Sequence, residues 1–569
     1  MKKPFKRKIV NHRKRTIIAY DLETTNIEAG TPRPLYITAY GENLKLSMPI
    51  NDILDLLYIL REHFLLPELS KTRYAAWNGN NYDAYFIAAA LLHSTEYIIR
   101  PYLTKSKTLR GLKVALRTNE KIYWEFLDGM SMTGINRPLK DFLKIFAPSY
   151  EKLSLDFSKE TFDANNFTHV KYAERDSEGL YYALCRANDI VVDALNVPLM
   201  PTIGNLGIKA FARYIPEDIL VWEPPITATH AIQRQVKRGG FCHLMRPHDG
   251  PVWKYDINQA YASAMRENYL PAGRCVSTGS YEADQCGIYR INASHDTNII
   301  PFYYKNSNGG AEFGLNLIAD TWITSIEYQQ LLSENWFVEL LDGFYWQREF
   351  TMTEYVDILE QLRINSPGGP GGAQGLMMKS IGNNSYGKTL ETLDGVELLL
   401  ALEKPGDDYH LYHAEDSNLD HIWFKLVDPL RREYHQPQLG SFITAYVRMI
   451  VRQAALKAPL AFIYADTDCV VFSEPVDLDI HSSRYGAWKI ESDGENYRFI
   501  AKKVYANHGA SEKHAKGLNI KTLIDADFIN WYKGVVPVQQ QLHKNNFIKC
   551  MMGDEMFVQQ ERRGTSIKQ

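Results

Sequence analysis

The chain has 569 residues, 45% of them hydrophobic, with 64 Lys plus Arg against 67 Asp plus Glu, a formal charge of -3 at pH 7. That length suits several cores, about three to five units of roughly 100 to 200 residues each. No run of about 18 apolar residues occurs, and the basic stretch Met1 to Arg15 is followed by no apolar segment. Neither a membrane span nor a secretory signal is expected, and the compartment reads as cytoplasmic. Six Cys without a CxxC pair exclude a disulfide framework and a zinc ribbon. A net charge near zero is a sum, so it does not exclude a segregated basic channel; the N-terminal tail suits either phosphate contact or a solvated arm. The 35 Tyr suit base stacking as well as ordinary cores.

In chain order, the pattern predicts a strand over Thr16 to Tyr20, a helix near Asp52 to Phe64, a strand over Tyr74 to Trp77 and a long helix from His169 to Leu195, together one α/β domain. A Pro-containing connection over 198–225 leads to a strand over Val252 to Asp256 and a helix from Ala260 to Arg266. Pro271 to Tyr355 is mixed and aromatic-rich. Ser366 to Gly372 is a Gly/Pro breaker before a helical stretch from Ala373 to Ser380, Glu391 to Pro437 is irregular and charged, and Ser441 to Lys457 has helical periodicity. The chain then alternates apolar runs around Tyr464-Ala465-Asp466-Thr467-Asp468, which predicts a hairpin with acids at its tip.

Two carboxylates one residue apart are costly to bury unless a cation neutralises them, so Asp466 and Asp468 point to a divalent metal; the same residues also suit a solvated Asp turn. Asp256 lies where a strand becomes a helix. If it pairs beside the hairpin, three acids converge on a pair of ions suited to in-line phosphoryl displacement. Tyr261 follows one turn later, as a floor under a sugar or as a core aromatic. Lys379 and Tyr386 are seven apart on one helical face, placing a cation and a ring together, although an exposed amphipathic helix has the same spacing. Gly382 and Gly387 within that helix predict a close backbone approach. A second acid set is Asp21 and Glu23 at a strand end, Asp83 after Asn78 and Tyr82, and Asp176 four residues after Tyr172, which suits a two-metal site hydrolysing a phosphodiester.

The order Asp-x-Glu, Asn-x₃-Tyr-Asp, Tyr-x₃-Asp, Asp-x₄-Tyr, Lys-x₆-Tyr-Gly, Tyr-x-Asp-Thr-Asp resembles the family B DNA polymerases over most of the chain. The resemblance implies a multidomain α/β and α+β architecture: a ribonuclease H-like 3'-5' exonuclease domain followed by a right-hand polymerase with palm, fingers, thumb and two insertions. The compact chain, with its first acid motif at residue 21, is most similar to the protein-primed polymerases of bacteriophages and linear plasmids. The expected division is 1–195 exonuclease, 196–270 palm, 271–355 first insertion (terminal-protein region 1), 356–392 fingers, 393–438 second insertion (terminal-protein region 2), 439–520 palm and 521–569 thumb.

By that resemblance, Asp256 and Asp468, with Ile257 beside them, hold two Mg²⁺ at the polymerase site, Asp466 completes it, and Mn²⁺ substitutes. Tyr261 selects deoxyribose, and Ile257, Lys379, Asn383 and Tyr386 bind the nucleotide. Asp21, Glu23, Asp83 and Asp176 hold two further ions at the exonuclease site, Tyr172 orients water, Lys152 assists, and Thr24, Asn78 and Tyr82 hold the frayed strand. Gly239 and Gly240, Arg448, Tyr464, Lys503 and Tyr505 are implied contacts to DNA. Expected partners are primer-template DNA, dNTPs and a terminal protein that joins the otherwise monomeric chain at initiation; strand displacement is implied, and a viral source places the protein in the host cytoplasm. Departures are Lys237 where the group has Tyr in its Tyr-x-Gly-Gly element, Gln259-Ala260-Tyr261-Ala262 where it has Ser-Leu-Tyr-Pro, and Asn384 in place of Ser. Rival readings are a conventionally primed or primer-independent polymerase, a dedicated exonuclease whose C-terminal half binds DNA, and a non-catalytic replication scaffold.

Overall fold

The computed structural model describes residues 4–8, 15–155, 161–391, 395–412, 421–427 and 432–565. Most of the basic tail (1–3, 9–14), the stretch 156–160 after Lys152, and 413–420 and 428–431 of the second expected insertion lie outside the described residues.

Three sheets organise the chain. In the first, Ile17–Thr24, Arg73–Ala76 and Asn119–Asp128 run parallel. Ile18, Ala19 and Tyr20 are all buried, as a strand covered on both faces requires. Pro34–Gly41 and Leu44–Pro49 extend it antiparallel on one side, Leu109–Leu116 and Tyr97–Leu103 on the other. The helix Phe167–Leu195 lies across it, with Tyr172, Ala173, Asp176 and Ser177 on its buried face. Asp52 caps the helix Ile53–Ile59 by accepting from the Leu54 and Asp55 N–H groups. The sheet continues beyond the exonuclease-like unit: Leu400 of Val396–Leu400 pairs with Ile99, so strands of the second expected insertion join its edge.

The second sheet is antiparallel, in the order Phe241–Leu244, Phe462–Thr467, Cys469–Phe472, His248–Ile257, Trp488–Ala501, Val504–Asn507, Lys513–Ala515. Against it packs the helix Pro437–Lys457, with Pro at its first position, where a missing N–H costs nothing. The third sheet joins Leu270–Thr278, Gly287–Ser294, Leu317–Thr324 and Phe337–Phe350 to the short strands Phe5–Lys6 and Leu220–Val221. Its first long strand straddles the boundary expected at 270/271 and pairs with Leu220–Val221 from outside that interval.

The helix of the Lys379 motif runs over Ala373–Thr389, further than the predicted Ala373 to Ser380, and passes through both glycines. No protein atom makes the close approach at Gly387, where a Cβ would meet nothing within 4 Å. The tight contacts come from neighbours instead. A Cβ on Gly207, in the packed helix Ile203–Arg213, would stand 2.7 Å from the Ile381 carbonyl oxygen. The C-terminal hairpin Val538–Lys544/Phe557–Arg563 returns to the first sheet's domain, where Gly30 and Phe557 exchange backbone hydrogen bonds of 2.8 and 3.0 Å. Among the described residues, no helix is long and apolar enough to cross a membrane.

Candidate active sites

The palm register places Cys242, Asp466, Cys469 and Asp256 as successive partners in one row across four strands. Asp468 is delivered by the turn: its N–H donates to the Asp466 carbonyl at 2.8 Å, and Thr467 sits at φ +68°, a left-handed conformation that strains a β-branched residue. The Ile257 N–H donates to the Asp468 carbonyl at 2.8 Å, tying the turn to the strand end that carries Asp256. Gly240 packs on the other side, where a Cβ would be 2.7 Å from the Thr467 Cα. Only glycine allows that approach.

The three acids differ electrostatically. Burial lifts the Asp256 carboxyl to about 7, helped by Asp468 and Glu491 and opposed by Lys379 and Lys254. Asp468 is raised as well, first by burial, with Lys379 again opposing. Asp466 goes the other way: burial works to raise it, but the Lys503 ammonium, 2.7 Å from both oxygens, holds it below the ordinary range. The Tyr464 hydroxyl donates to Asp466 Oδ2 at 3.1 Å. Beside the acids, the Tyr261 and Tyr386 rings stack at 4.6 Å and 28°, while Lys379 is exposed and Asn383 half-buried on the same helix.

The second acid set also assembles. The Leu22 N–H, between Asp21 and Glu23, donates to Asp83 Oδ1 at 3.0 Å. The Lys152 ammonium bonds Asp176 Oδ2 and lies 4.5 Å from the centre of the Tyr172 ring. Burial is the largest influence on every acid here. It lifts Glu23 and Asp83 to about 7 and Asp21 and Asp176 above their usual range, with Lys152 opposing at Asp21, Glu23 and Asp176. The Thr24 and Tyr82 hydroxyls are 2.5 Å apart, and the Asn78 N–H donates to Asp128 Oδ1 at 3.0 Å.

Both sites fit divalent cations held by oxygen ligands. Asp176 Oδ1 is buried without a hydrogen-bond partner, and four buried carboxylates served by the single Lys152 ammonium leave an excess of negative charge that a hard cation would relieve. Among the described residues, no three His, Cys, Asp or Glu form a ready-made cage for one ion.

Four expected DNA contacts stand elsewhere. Arg448 is 1% exposed and spends its guanidinium on Glu327 and on the Arg238 and Gly239 carbonyls. Tyr464 is equally buried, behind Asp466, and Tyr505 stacks on Phe499 at 4.9 Å. Gly240 faces Thr467. The Arg448, Tyr464 and Tyr505 side chains are buried rather than presented at the surface; Gly240 and Lys503 are partly exposed and Gly239 is exposed. Ile257, expected at metal and nucleotide, has a buried side chain, which leaves only its backbone for either.

Sequence reasoning missed Glu491, two residues beyond the cross-strand partner of Asp256 and 3.3 Å from Lys254 Nζ. It also missed Asp128, whose carboxyl burial lifts to about 6. The strand alternation 489, 491 was the available signal for the first; for the second there was none short of knowing that Asn119–Asp128 ends beside Asp83.

Residues 165–397 match the family described as DNA polymerase type B, organellar and viral. A probable DNA polymerase of Neurospora intermedia is 24% identical over 383 residues, covering 63% of this chain and 39% of that protein. The DNA polymerase of Streptococcus phage Cp-1 is 22% identical over 47% of this chain and 48% of its own length. The chain thus spans less than half of each of these relatives. The phi29 DNA polymerase complexed with primer-template DNA and incoming nucleotide substrates superposes with a TM-score of 0.74 at 17% identity, covering 98% of this chain and all of the other. The fold is therefore shared essentially end to end. Over residues 165–397 the chain is thus similar to the type B DNA polymerases of the organellar and viral kind.

Proposed function

We propose that this chain is a DNA-directed DNA polymerase that extends a 3'-OH with dNTPs and carries its own 3'-5' exonuclease. The observation that carries the reading is the row of Asp256 and Asp466 completed by Asp468 at the strained turn, facing a helix whose exposed Lys379 acts on both Asp256 and Asp468. Bound at these acids, a pair of Mg²⁺ or Mn²⁺ ions would stabilise the attacking and leaving oxygens of the displaced phosphoryl group. The chain's own part is positional. Lys503 neutralises Asp466, so that Asp256 and Asp468 remain as the pair to hold ions, with the Ile257 backbone beside them. Lys379 and Asn383 face the triphosphate, and Tyr386 and Tyr261 frame base and sugar, with the Tyr261 ring excluding a 2'-hydroxyl. In the other site Asp21, Glu23, Asp83 and Asp176 would hold the ions, Lys152 steadies Asp176, and Tyr172 orients the attacking water. Thr24, Tyr82 and Asn78 grip the frayed strand.

Asp468→Ala is expected to abolish extension of a primed template while sparing hydrolysis of a single strand, and Asp21→Ala with Glu23→Ala to do the reverse. Loss of both activities in either variant counts against two separate sites.

The finer reading is initiation on a protein hydroxyl, with a terminal protein as partner and strand displacement during elongation. It is favoured by the sheets that occupy both expected insertion intervals and by the landing of the C-terminal hairpin on the exonuclease side. Incubation with labelled nucleotide and a terminal protein encoded beside this chain should leave label covalently on protein. If only annealed primers are extended, protein priming fails and the polymerase stands.

A further inference from the structure

We infer that Glu327, in the 271–355 interval, is a positioning residue for the palm site. It clamps the two arginines that fix the Lys237–Gly240 loop against the Thr467 turn. This rests on the polymerase reading above.

Glu327, Arg238 and Arg448 come from three separate stretches of chain and are 0%, 2% and 1% exposed. Glu327 is the third residue of the helix Ser325–Ser333 and closes its capping box, accepting from the Thr324 N–H and hydroxyl at 3.0 Å each. The carboxylate is thereby fixed before it meets any partner. Its Oε2 then accepts from Arg238 at 2.6 Å, and its Oε1 from Arg448 Nε and Nη2 at 3.1 and 2.8 Å. Oriented in this way, Arg448 turns Nη1 onto the carbonyls of Arg238 and Gly239 at 3.0 and 3.1 Å. Those carbonyls lie in the loop whose next residue, Gly240, touches Thr467, and whose following residues Phe241 and Cys242 pair with Thr467 and Asp466. Lys305 adds a bond from the same interval to the Lys237 carbonyl at 2.7 Å.

A purely structural clamp exists alongside for comparison. One helical turn after Arg448, Arg452 makes two bonds of 2.7 and 2.6 Å to Glu334, seven residues after Glu327. Its remaining contacts to Ile300, Pro301 and Asn298 stay within the same interval and never reach the loop. Both pairs fasten the interval to the helix Pro437–Lys457, but only the Glu327 cluster reaches the hairpin. A planar fork is what lets Arg448 serve carboxylate and carbonyls together, and a lysine at that position keeps the charge without the fork.

The test uses the full chain with Glu327→Gln, Arg448→Lys and Glu334→Gln. The readout is the dNTP concentration at which synthesis balances degradation on a primed template, with hydrolysis of a single-stranded oligonucleotide measured beside it. Glu327→Gln and Arg448→Lys are expected to raise the balance concentration about tenfold and to leave single-strand hydrolysis within about twofold, while Glu334→Gln moves neither. Equal behaviour of Glu327→Gln and Glu334→Gln, or parallel loss of synthesis and hydrolysis, overturns the inference. If Glu327→Gln fails to fold, Arg448→Lys decides alone, and an unchanged balance there also overturns it. A wild-type chain that extends nothing overturns the polymerase reading as well, which an extending wild type with an unmoved Glu327→Gln does not.

Discussion

The two acid clusters solve one electrostatic problem on opposite scaffolds. Around the first sheet, four acids stand on one buried strand and two helices, one ammonium serves them, and burial lifts all four. In the palm, three acids sit half-buried at a hairpin tip, and one is already consumed: Lys503 bonds both oxygens of Asp466 and holds it low, while Asp256 and Asp468 are raised. In the proposed reading, the first site would attract cations through a surplus of charge, and the second through a strained turn that sets two remaining acids side by side. Charge surplus tolerates small displacements, whereas a turn held by Gly240 and the Ile257 N–H does not.

The sharpest way to break that contrast is to remove the lysine from each site. Lys152→Ala leaves Asp176 with neither oxygen paired, and Lys503→Ala frees Asp466 next to Asp468. Loss of one preorganised charged donor costs about 10²-fold in turnover. Lys152→Ala should therefore lower single-strand hydrolysis by about that factor and spare extension, with Lys503→Ala doing the opposite. Rates of both reactions, measured on the same preparation at saturating Mg²⁺, check this; crossed losses would mean that the lysines do not belong to separate sites.

A smaller effect separates repelled acids from paired ones. The Asp83 carboxyl is raised to about 7, so the folded chain binds more protons there than the unfolded chain does. Stability contributed by the neutral form is present at pH 4, is lost as pH rises toward 7, and is absent at pH 8. Asp83→Asn keeps the acceptor for the Leu22 N–H and removes the charge. Without divalent ions, at pH 8, it should stabilise the chain by about 2–4 kcal/mol, since each tenfold change in proton affinity corresponds to about 1.4 kcal/mol, and the gain should vanish at pH 4. Asp466→Asn, which strips a paired acid, should destabilise instead. Thermal melts in chelator at the two pH values decide it, and a shared sign would erase the distinction.

The elements that carry the chemistry were legible because their signals are local. Alternation framed Asp466 and Asp468, the helical period put Tyr172 with Asp176, and the breaker 366–372 marked the start of the Lys379 helix. Invisible were facts that live in pairing between distant segments. Arg448 reads as a cation available to phosphate, and only the burial of Glu327 from another interval turns it inward. Asp128 reads as an ordinary strand end until the parallel pairing of Arg73–Ala76 with Asn119–Asp128 brings it beside Asn78. The strands within 393–438 that join the first sheet likewise have no local signature, since a partner about 300 residues away leaves no mark on either sequence.

The weakest expected effect tests whether the two sites communicate directly. Asp128 caps the short helix Gly129–Thr133, which ends at Gly134 with φ +69°. The Gly134 carbonyl accepts from Ser380 Oγ at 2.9 Å, one residue from Lys379. One short helix thus runs from the Asp128 carboxylate that accepts the Asn78 N–H to the helix that would hold the nucleotide. Ser380→Ala removes one neutral hydrogen bond, worth about 1 kcal/mol, or about fivefold in an equilibrium constant. The dNTP concentration for half-maximal extension should rise by up to about that factor, with single-strand hydrolysis unchanged. Gly134→Ala should be more severe, because a Cβ there would stand 2.5 Å from the Ser380 Cβ in a backbone conformation that disfavours one. If Gly134→Ala alters nucleotide dependence and Ser380→Ala does not, packing rather than the hydrogen bond carries the link; if neither does, the clusters share a chain but act independently.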